Sequence, residues 1–464
     1  MADAMALAPQ MIERLDWSAD QLAAHRQQKL RAIVAHAMIS SPWHREHLAG
    51  VDLLRLDEDT LRELPPMTKG DLMGNFDRVV TDPRLTLARV NAHLQTIEEN
   101  GYLFDRYTAI TSGGSSGERG VFLYDWNGWV TFWLSCFRYL LRAKQSDPEL
   151  ATRPLKVAWV MAGHFTHATA ALGRTFANPN VISHPFPVTL SVEEIVAGLN
   201  EVQPDFVNAY PSALHLLSFE AQADRLRISP RRIQSAAEPL LPEIRAAAEA
   251  AWGVRVGNLY GTSEGGGVAT PCDKQRTHLS EDLMIVEPVD ANGDPVAPGE
   301  PAAKVYLTNL YNRALPLIRY ELTDEVTILK DRCSCGSAHR CVADVQGRLD
   351  DTFLYEGRPV HPHVFRTALG RRGRIVEYQV RQTPAGAGIA VRCQAPVDLD
   401  ELAREIEDSL ERVGVEAPEV TVEAVAQIER TSGPAKLRRF LALPARERSY
   451  ASAGSSSATS LPFG

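Results

Sequence analysis

Residues 205–223 read DFVNAYPSALHLLSFEAQA. The first six (205–210) are strand-like, and the Pro-led remainder (211–223) carries helical spacing. The same alternation extends both ways. Upstream, VAWVMA (157–162) is strand-like and SVEEIVAGLNEV (191–202) is helical; downstream, RIQSA (232–236) and VRVGNLYG (254–261) flank the helical PEIRAAAEAAW (242–252). Strands alternating with helices predict a parallel sheet wrapped by helices. Ligands of such sheets gather in the crevice beyond the carboxyl ends of the strands.

Outside this middle region the pattern changes. The first hundred residues read as helical: in LRAIVAHAMISS, Leu30, Ile33, Val34, Ala37 and Met38 repeat at the spacing of one buried face, and Ser41-Pro42 ends that helix. Composition shifts near residue 295, where the turn-rich DANGDPVAPGEP precedes KVYLTNL and PLIRYELTDEVTIL, read as antiparallel strands. From about residue 351, RIVEYQVRQT, GIAVRCQ and VTVEAV are strand-like, and Leu399, Leu402, Ile406, Leu410 and Val413 make a helical stripe. The expected fold is thus a large α/β N-terminal domain, with helix-flanked sheets and a small antiparallel β subdomain, followed by a small mobile α+β domain. The boundaries are 1–349 (helical lead-in 1–100, β subdomain about 295–349), 350–445, and a low-complexity tail at 446–464 expected to be disordered.

Composition narrows the function. A net charge of −9 argues against a nucleic-acid footprint, which needs clustered Lys and Arg, so small molecules or protein partners are expected. No window is apolar enough to span a bilayer. The start, MADAMALAPQMIERLDW, has no basic stretch before an apolar one, so no secretory signal is expected. Six cysteines in 464 residues do not make a disulfide scaffold, and a reducing cytoplasm is the expected compartment.

Residues 111–120, TSGGSSGERG, lie just before the apolar run Val121–Tyr124. Glycines let main-chain N–H groups converge on one point and hydroxyls add donors, which suits phosphate; the same residue types also make ordinary surface turns. The loop is not a Walker-type loop, since Glu118 and Arg119 follow Gly117, nor a dinucleotide fingerprint, since a strand rather than a helix follows. Four more stretches carry chemistry-bearing residues: NLYGTSEGGG (258–267), LIRYELTDE (317–325), QGRLDD (346–351) and ERTSGPAKLRR (429–439). Taken singly, each has a plain structural reading: a core aromatic, a helix-terminal acid, a solvated turn, an exposed basic face.

Their order says more. A Ser/Gly loop, then YGTSE, RYELTD, GRLDD and a lysine near the end resembles the adenylate-forming superfamily of acyl- and aryl-CoA synthetases, luciferases and peptide-synthetase adenylation domains. LRAIVAHAMISSPWHREHL, LRELPPMTKGDLM, AAEPL (236–240), HLSEDLMIVEPVD (278–290), TNLYNRALPLIRYELTD and CSCGSAHRCVADVQGRLDD resemble the phenylacetate–CoA ligase branch, over about residues 30–440. The chain is also similar to ligases that adenylate a deazaflavin coenzyme.

The resemblance implies an AMP-forming acid–thiol ligase using ATP, Mg²⁺ and CoA. A small-molecule carboxylic acid, aromatic or arylacetic, would attack the α-phosphorus of ATP, and CoA would then take the acyl group. It implies that Thr111, Ser112, Gly113, Gly114, Ser115, Ser116 and Gly117 hold the β- and γ-phosphates. Ser263 would donate to the α-phosphate and Glu264 would hold Mg²⁺. Tyr260, followed by Gly261 and Thr262, would stack on adenine with Ala237, Glu238 and Pro239 at its edge. Asp324 and Arg348 would bind ribose, Lys436 would bridge the carboxylate and the α-phosphate, and Asp350 would be the hinge for a two-conformation cycle. His164, Phe165 and Tyr210 would line the acyl pocket. Monomer and homodimer both remain open.

Two departures from the superfamily pattern stand out. Glu118 and Arg119 occupy the place of the usual lysine after the last loop glycine, and Pro434-Ala435 separate Gly433 from Lys436. Cys333, Cys335 and Cys341 crowd into nine residues, with Cys272 expected nearby, so these four thiolates would satisfy a structural zinc. His278 or His339 could replace one of them; reduced, unligated cysteines are the alternative. Three rivals stand beside the CoA-ligase reading: transfer of the adenylate to an amine, carrier-protein thiol or other acceptor, a catalytically silent nucleotide-binding regulator, and a zinc-ribbon nucleic-acid module, which the acidic balance disfavours. If Arg119 substitutes for the missing lysine, Arg119→Ala weakens ATP binding in a titration; unchanged affinity removes that assignment.

Overall fold

The computed structural model describes residues 1–97, 101–112, 120–161, 167–177, 180–188, 190–345, 353–356, 358–360, 362–370, 375–393, 395–428 and 439–443. The chain divides into two compact units, Met1–Gln346 and Gly347–Gly464.

The larger unit opens with helices Ala2–Glu13, Ala19–Ser40 and Pro42–His47. A capping box starts the second: Ser18 Oγ accepts from Gln21 N at 3.2 Å, and Gln21 Oε1 accepts from Ser18 N at 2.9 Å. Ser41 ends that helix and caps the next, with its Oγ accepting from His44 N at 3.3 Å and Pro42 in the first turn. Leu30, Ile33, Val34 and Ala37 are buried against Ile285, Leu310 and Ile318, with Met38 partly buried beside them.

Strands β1 (Tyr107–Thr111) and β2 (Val121–Asp125) form an antiparallel hairpin around the Ser/Gly loop. Asp125 then caps the helix Trp126–Ser146, its Oδ1 accepting from Gly128 N at 2.8 Å. Every residue from Gly128 to Tyr139 except Thr131 is buried. In this stretch burial runs round nearly the whole helix, Ser135 and Arg138 included, so it lacks the single buried face of a surface helix.

The central sheet has β3 (Leu155–Val160), β4 (Val181–Pro185), β5 (Phe206–Ala209), β6 (Arg232–Ala236) and β7 (Val256–Thr262) in the order β4-β3-β5-β6-β7, all parallel. Beyond β7 it turns antiparallel through β8 (Gly266–Pro271), β9 (Thr277–Leu279) and the short strand Cys341–Val342. A second, antiparallel sheet joins β10 (Met284–Val289), β11 (Lys304–Asn309) and β12 (Tyr320–Leu322). It begins upstream of the composition shift near residue 295, because the turn-rich segment is the β10–β11 connection.

The smaller unit has a four-stranded sheet. Ile375–Gln382 and Gly386–Cys393 pair antiparallel at its centre, and Glu419–Ala424 and Phe440–Leu441 flank them in parallel. Leu402, Ile406 and Leu410 bury the helix Leu399–Arg412 in a core of its own with Phe353, Phe365, Tyr378 and Phe440. Val413 ends the stripe as a C-cap and is exposed. Residues 444–464 lie outside the described residues.

One buried ion pair ties helix Trp126–Ser146 to the sheet. Arg138 Nη1 and Nη2 donate to Asp282 Oδ2 and Oδ1, both at 2.7 Å, with both side chains at or below 1% exposure. Burial alone would raise the Asp282 carboxyl; the Arg138 charge and its hydrogen bonds outweigh this and hold it at about 2. A carboxyl depressed in the folded state stabilises fully above its unfolded value and loses that contribution as pH falls. The pair's share of stability is therefore present above pH ~4 and is lost toward pH ~2, by about 2–3 kcal/mol. Asp282→Asn leaves a buried guanidinium half-paired and should lower the unfolding free energy by about 3–5 kcal/mol in urea titration at neutral pH.

Candidate functional site

The ends of the parallel strands converge on one crevice edge. Tyr210 follows β5, Ala237–Pro239 follow β6, and Tyr260–Glu264 close β7 and turn into β8. The Ser/Gly loop leaves from the end of β1. Its neck is closed twice: Ser112 N donates to Gly120 O and Gly120 N donates to Ser112 Oγ, each at 3.0 Å. A Cβ on Gly120 would lie 2.8 Å from the Phe122 ring and 2.9 Å from Ser112 Oγ, so the neck needs a glycine. Gly113, Gly114, Ser115, Ser116, Gly117 and Arg119 lie outside the described residues.

Two hydrogen bonds join motifs far apart in sequence. Ser263 Oγ donates to the Thr111 carbonyl at 3.5 Å, bringing the YGTSE turn to the root of the loop. Tyr260 Oη donates to Asp324 Oδ2 at 3.0 Å, with both residues buried. Glu264 is also buried, whereas Gly261 is exposed and Thr262 and Ser263 are half-buried. Thr262 Oγ1 accepts from Gly265 N at 3.1 Å, so the turn carries its own cap.

At the end of β6, Ala237 is exposed and holds φ +70°, a left-handed conformation that costs a non-glycine residue energy and marks functional turns. Glu238 Oε2 accepts from Ser212 N at 3.0 Å, placing the carboxylate on the N-terminus of helix Pro211–Gln222. Tyr210 caps that helix and is packed in the core at 1% exposure. His164, Phe165, Arg348, Asp350 and Lys436 lie outside the described residues.

Arg319, beside Asp324 in sequence, faces elsewhere. Its Nε donates to both Glu287 carboxylate oxygens at 3.2 Å and its Nη1 to the carbonyls of Arg62 (2.8 Å) and Leu64. It ties the helical lead-in to the second sheet. Three further residues touch the YGTSE turn without standing out in sequence. Tyr124 Oη donates to Ser263 O (2.6 Å), Asn309 Nδ2 to Glu264 O (2.9 Å) and Tyr311 Oη to Gly265 O (3.1 Å). The available signal was polar residues at the ends of apolar strands, in VFLYD and TNLYN.

A second cluster lies at the far edge of the central sheet. Among the described residues, Cys272, His278, Cys333 and Cys335 bring four ligand atoms within 4.8 Å of one another. Cys272 Sγ and Cys333 Sγ are 3.8 Å apart, and Cys335 Sγ is 3.4 Å from His278 Nε2. This corrects the expected four-thiolate set: His278 takes the place assigned to Cys341. Cys341 pairs directly with His278 across the strands, and its Sγ sits beside the group, 3.7 Å from both ring nitrogens. His278 Nδ1 contacts the His339 carbonyl at 2.9 Å; donating there leaves the Nε2 lone pair facing the thiols, the orientation a metal ligand needs. His339 points away, with Nε2 3.1 Å from the Arg14 carbonyl. Lys274 N and Cys335 N donate to Cys272 Sγ (3.3 Å) and Cys333 Sγ (3.5 Å). Three sulfurs and one imidazole nitrogen fit a tetrahedral structural zinc. Cys136 is apart from this group, in the main core, where burial raises its thiol to about 12.

No family model matches the sequence. The chain is 26% identical over 413 residues to a phenylacetate-coenzyme A ligase of Thermus thermophilus, covering 84% of this chain and 82% of that protein. It is 25% identical over 369 residues to a phenylacetate-coenzyme A ligase of Aromatoleum evansii, covering 74% of each. Among solved structures, a 2-hydroxyisobutyryl-CoA ligase in the postadenylation state, in complex with 2-HIB-AMP, superposes with a TM-score of 0.70 at 18% identity, over 94% of this chain and 92% of that one. At that identity the likeness is one of fold. By sequence the chain is similar to phenylacetate-coenzyme A ligases, and its fold is similar to that of the 2-hydroxyisobutyryl-CoA ligase.

Proposed function

We propose that this chain is an AMP-forming acid–CoA ligase acting on an aromatic or arylacetic acid. The observation that carries the reading is the pair of contacts Ser263–Thr111 and Tyr260–Asp324, which join the root of the Ser/Gly loop to the YGTSE turn and that turn to Asp324. Adenylation is in-line attack by a carboxylate oxygen on the α-phosphorus, with pyrophosphate leaving, and depends on positioning and charge stabilisation. The loop from Thr111 to Gly117 would take the β- and γ-phosphates on backbone N–H groups and serine hydroxyls. Ser263 would donate to the α-phosphate, and Glu264 would hold Mg²⁺, which offsets the phosphate charge.

Tyr260 would present its ring to adenine while its hydroxyl holds Asp324, which would bind ribose. Ala237–Pro239 would border the base, and the left-handed Ala237 exposes backbone there. Arg348 and Lys436 are assigned by sequence motif: ribose for the first, the attacking carboxylate and α-phosphate for the second. The division between compact units at Gln346–Gly347 lies close to Asp350 and supports its reading as a hinge. The CoA thiol would then attack the acyl carbonyl, releasing AMP and leaving a thioester. His164 and Phe165 are assigned to the acyl pocket; Tyr210, packed in the core, would back it rather than line it. Among the described residues no helix is long and apolar enough to cross a membrane, and we place the reaction in the cytoplasm.

Carboxylate-dependent ATP–pyrophosphate exchange across aryl, arylacetic and aliphatic acids tests the reading. Exchange with one acid class, reduced about 10²-fold or more in Lys436→Ala, is expected; no exchange with any acid despite ATP binding would point to the silent regulator. AMP release that requires CoA is the expected second step, and release with an amine or carrier thiol instead would move the acceptor.

We also propose that Cys272, His278, Cys333 and Cys335 hold a structural zinc. Elemental analysis of the purified chain should give about one zinc per chain. Cys272→Ser and Cys333→Ser should lose it and lower the melting temperature, whereas a metal-free wild type of equal stability would leave these as plain buried thiols.

A further inference from the structure

The turn Ser263–Gly265 is held from behind by three side chains from two different segments. Its three successive carbonyls each accept one side-chain hydrogen bond, from Tyr124, Asn309 and Tyr311. Asn309 is fully buried, and its orientation is fixed by its other end: Oδ1 accepts from Tyr311 N (3.0 Å) and Asn312 N (2.9 Å), so Nδ2 must be the group facing Glu264 O. Asn312 extends the link to β2, donating to Leu123 O at 2.9 Å. Tyr124 and Tyr311 stack at 6.4 Å, and Phe132 meets Tyr124 edge-on at 5.1 Å. Burial pushes both tyrosine hydroxyls well above their usual range, so they remain protonated donors at any working pH.

A trans peptide is planar, so fixing a carbonyl fixes the plane and sends the following N–H the opposite way. Three pinned carbonyls leave the turn almost no rotational freedom. Gly266, with φ +67°, closes it where a Cβ would lie 2.6 Å from Ser135 Oγ and 3.2 Å from Tyr311 Oη. This is more bracing than a β-hairpin turn needs, since Thr262 already caps it from within.

We propose that Tyr124, Asn309 and Tyr311 are positioning residues for adenylation, an inference that rests on the ligase reading above. By drawing three consecutive carbonyls into the core they aim the Ser263 hydroxyl and the Glu264 carboxylate at the α-phosphate and Mg²⁺. None of the three touches the reacting atoms. The brace reaches Glu264 through its own backbone, so loosening it should appear first as poorer use of the metal.

The test is pyrophosphate exchange with Tyr124→Phe, Tyr311→Phe and Asn309→Asp, each across a Mg²⁺ titration. Asn309→Asp keeps the acceptor that holds residues 311 and 312 and replaces the donor to Glu264 with a carboxylate oxygen, so Asn309→Ser, which lacks that charge, is measured beside it. We expect each variant to lose roughly tenfold in kcat, the loss expected from one buried hydrogen bond. The KM for the acid should stay near the wild-type value, half-maximal activity should need more Mg²⁺, and excess Mg²⁺ should restore part of the rate. Unchanged kcat and Mg²⁺ dependence would overturn the proposal, as would losses that follow only the folded fraction while the Mg²⁺ curve stays put. If the wild type exchanges with no acid, the ligase reading fails separately. Mn²⁺ binding in the presence of ATP, read by electron paramagnetic resonance, then decides: weaker binding in the variants supports the brace, and equal binding refutes it.

Discussion

One close approach governs this architecture. The Gly267 backbone lies against helix Trp126–Ser146, its N–H donating to Ser135 Oγ at 2.8 Å, and a Cβ there would meet the Ser135 carbonyl oxygen at 2.6 Å. Gly267 stands near the start of β8, the first strand beyond the parallel half of the central sheet, and pairs with Gly261 of β7. Only glycine lets the helix settle that deeply. Once it does, Arg138 reaches Asp282 and Phe132 reaches Tyr124, so the core, the buried ion pair and the YGTSE turn share one contact surface. Ser280 Oγ donates to Gly267 O at 2.7 Å and completes the hold on that residue.

The thiol–imidazole cluster belongs to the same packing. Its loop is docked on the N-terminal segment: Ser337 Oγ donates to Leu15 O at 2.8 Å, and Leu15 packs with Cys272, Cys333 and Cys341. Glu281, next to Asp282, takes Arg340 N and Nε at 2.7 Å each. A cation held there would fasten the segment 331–341 to the end of β8 and to β9.

The sequence disclosed most of the fold because its strongest signals are local. Alternating runs between 155 and 262 became the parallel strands and their helices, the Leu30–Ala37 stripe became a buried face, and Ser41-Pro42 became a double cap. The helix Trp126–Ser146 escaped because its burial is nearly circumferential, and the exposed edge strand β4 because VISHP is short and carries little periodicity. In the site, Tyr260 and Asp324 were legible as motif members, and their mutual hydrogen bond follows from the fold alone. Arg319, five residues before Asp324, has its direction set by Glu287 and two lead-in carbonyls. The approach of His278 to the thiols follows from the fold, which residue spacing does not encode. Tyr124, Asn309 and Tyr311 carried only the weak signal of polar residues at strand ends, because a side chain aimed at a backbone carbonyl leaves no further pattern in sequence.

The central claim is that the carboxylate attacks the α-phosphorus, and the fate of its oxygen tests this most directly. An ¹⁸O-labelled acid turned over with ATP and CoA should transfer one labelled oxygen to AMP, because the thiol cleaves the acyl carbon–oxygen bond and leaves that oxygen on the nucleotide. Label in inorganic phosphate or pyrophosphate, with none in AMP, would mean attack at another phosphorus and would contradict the account.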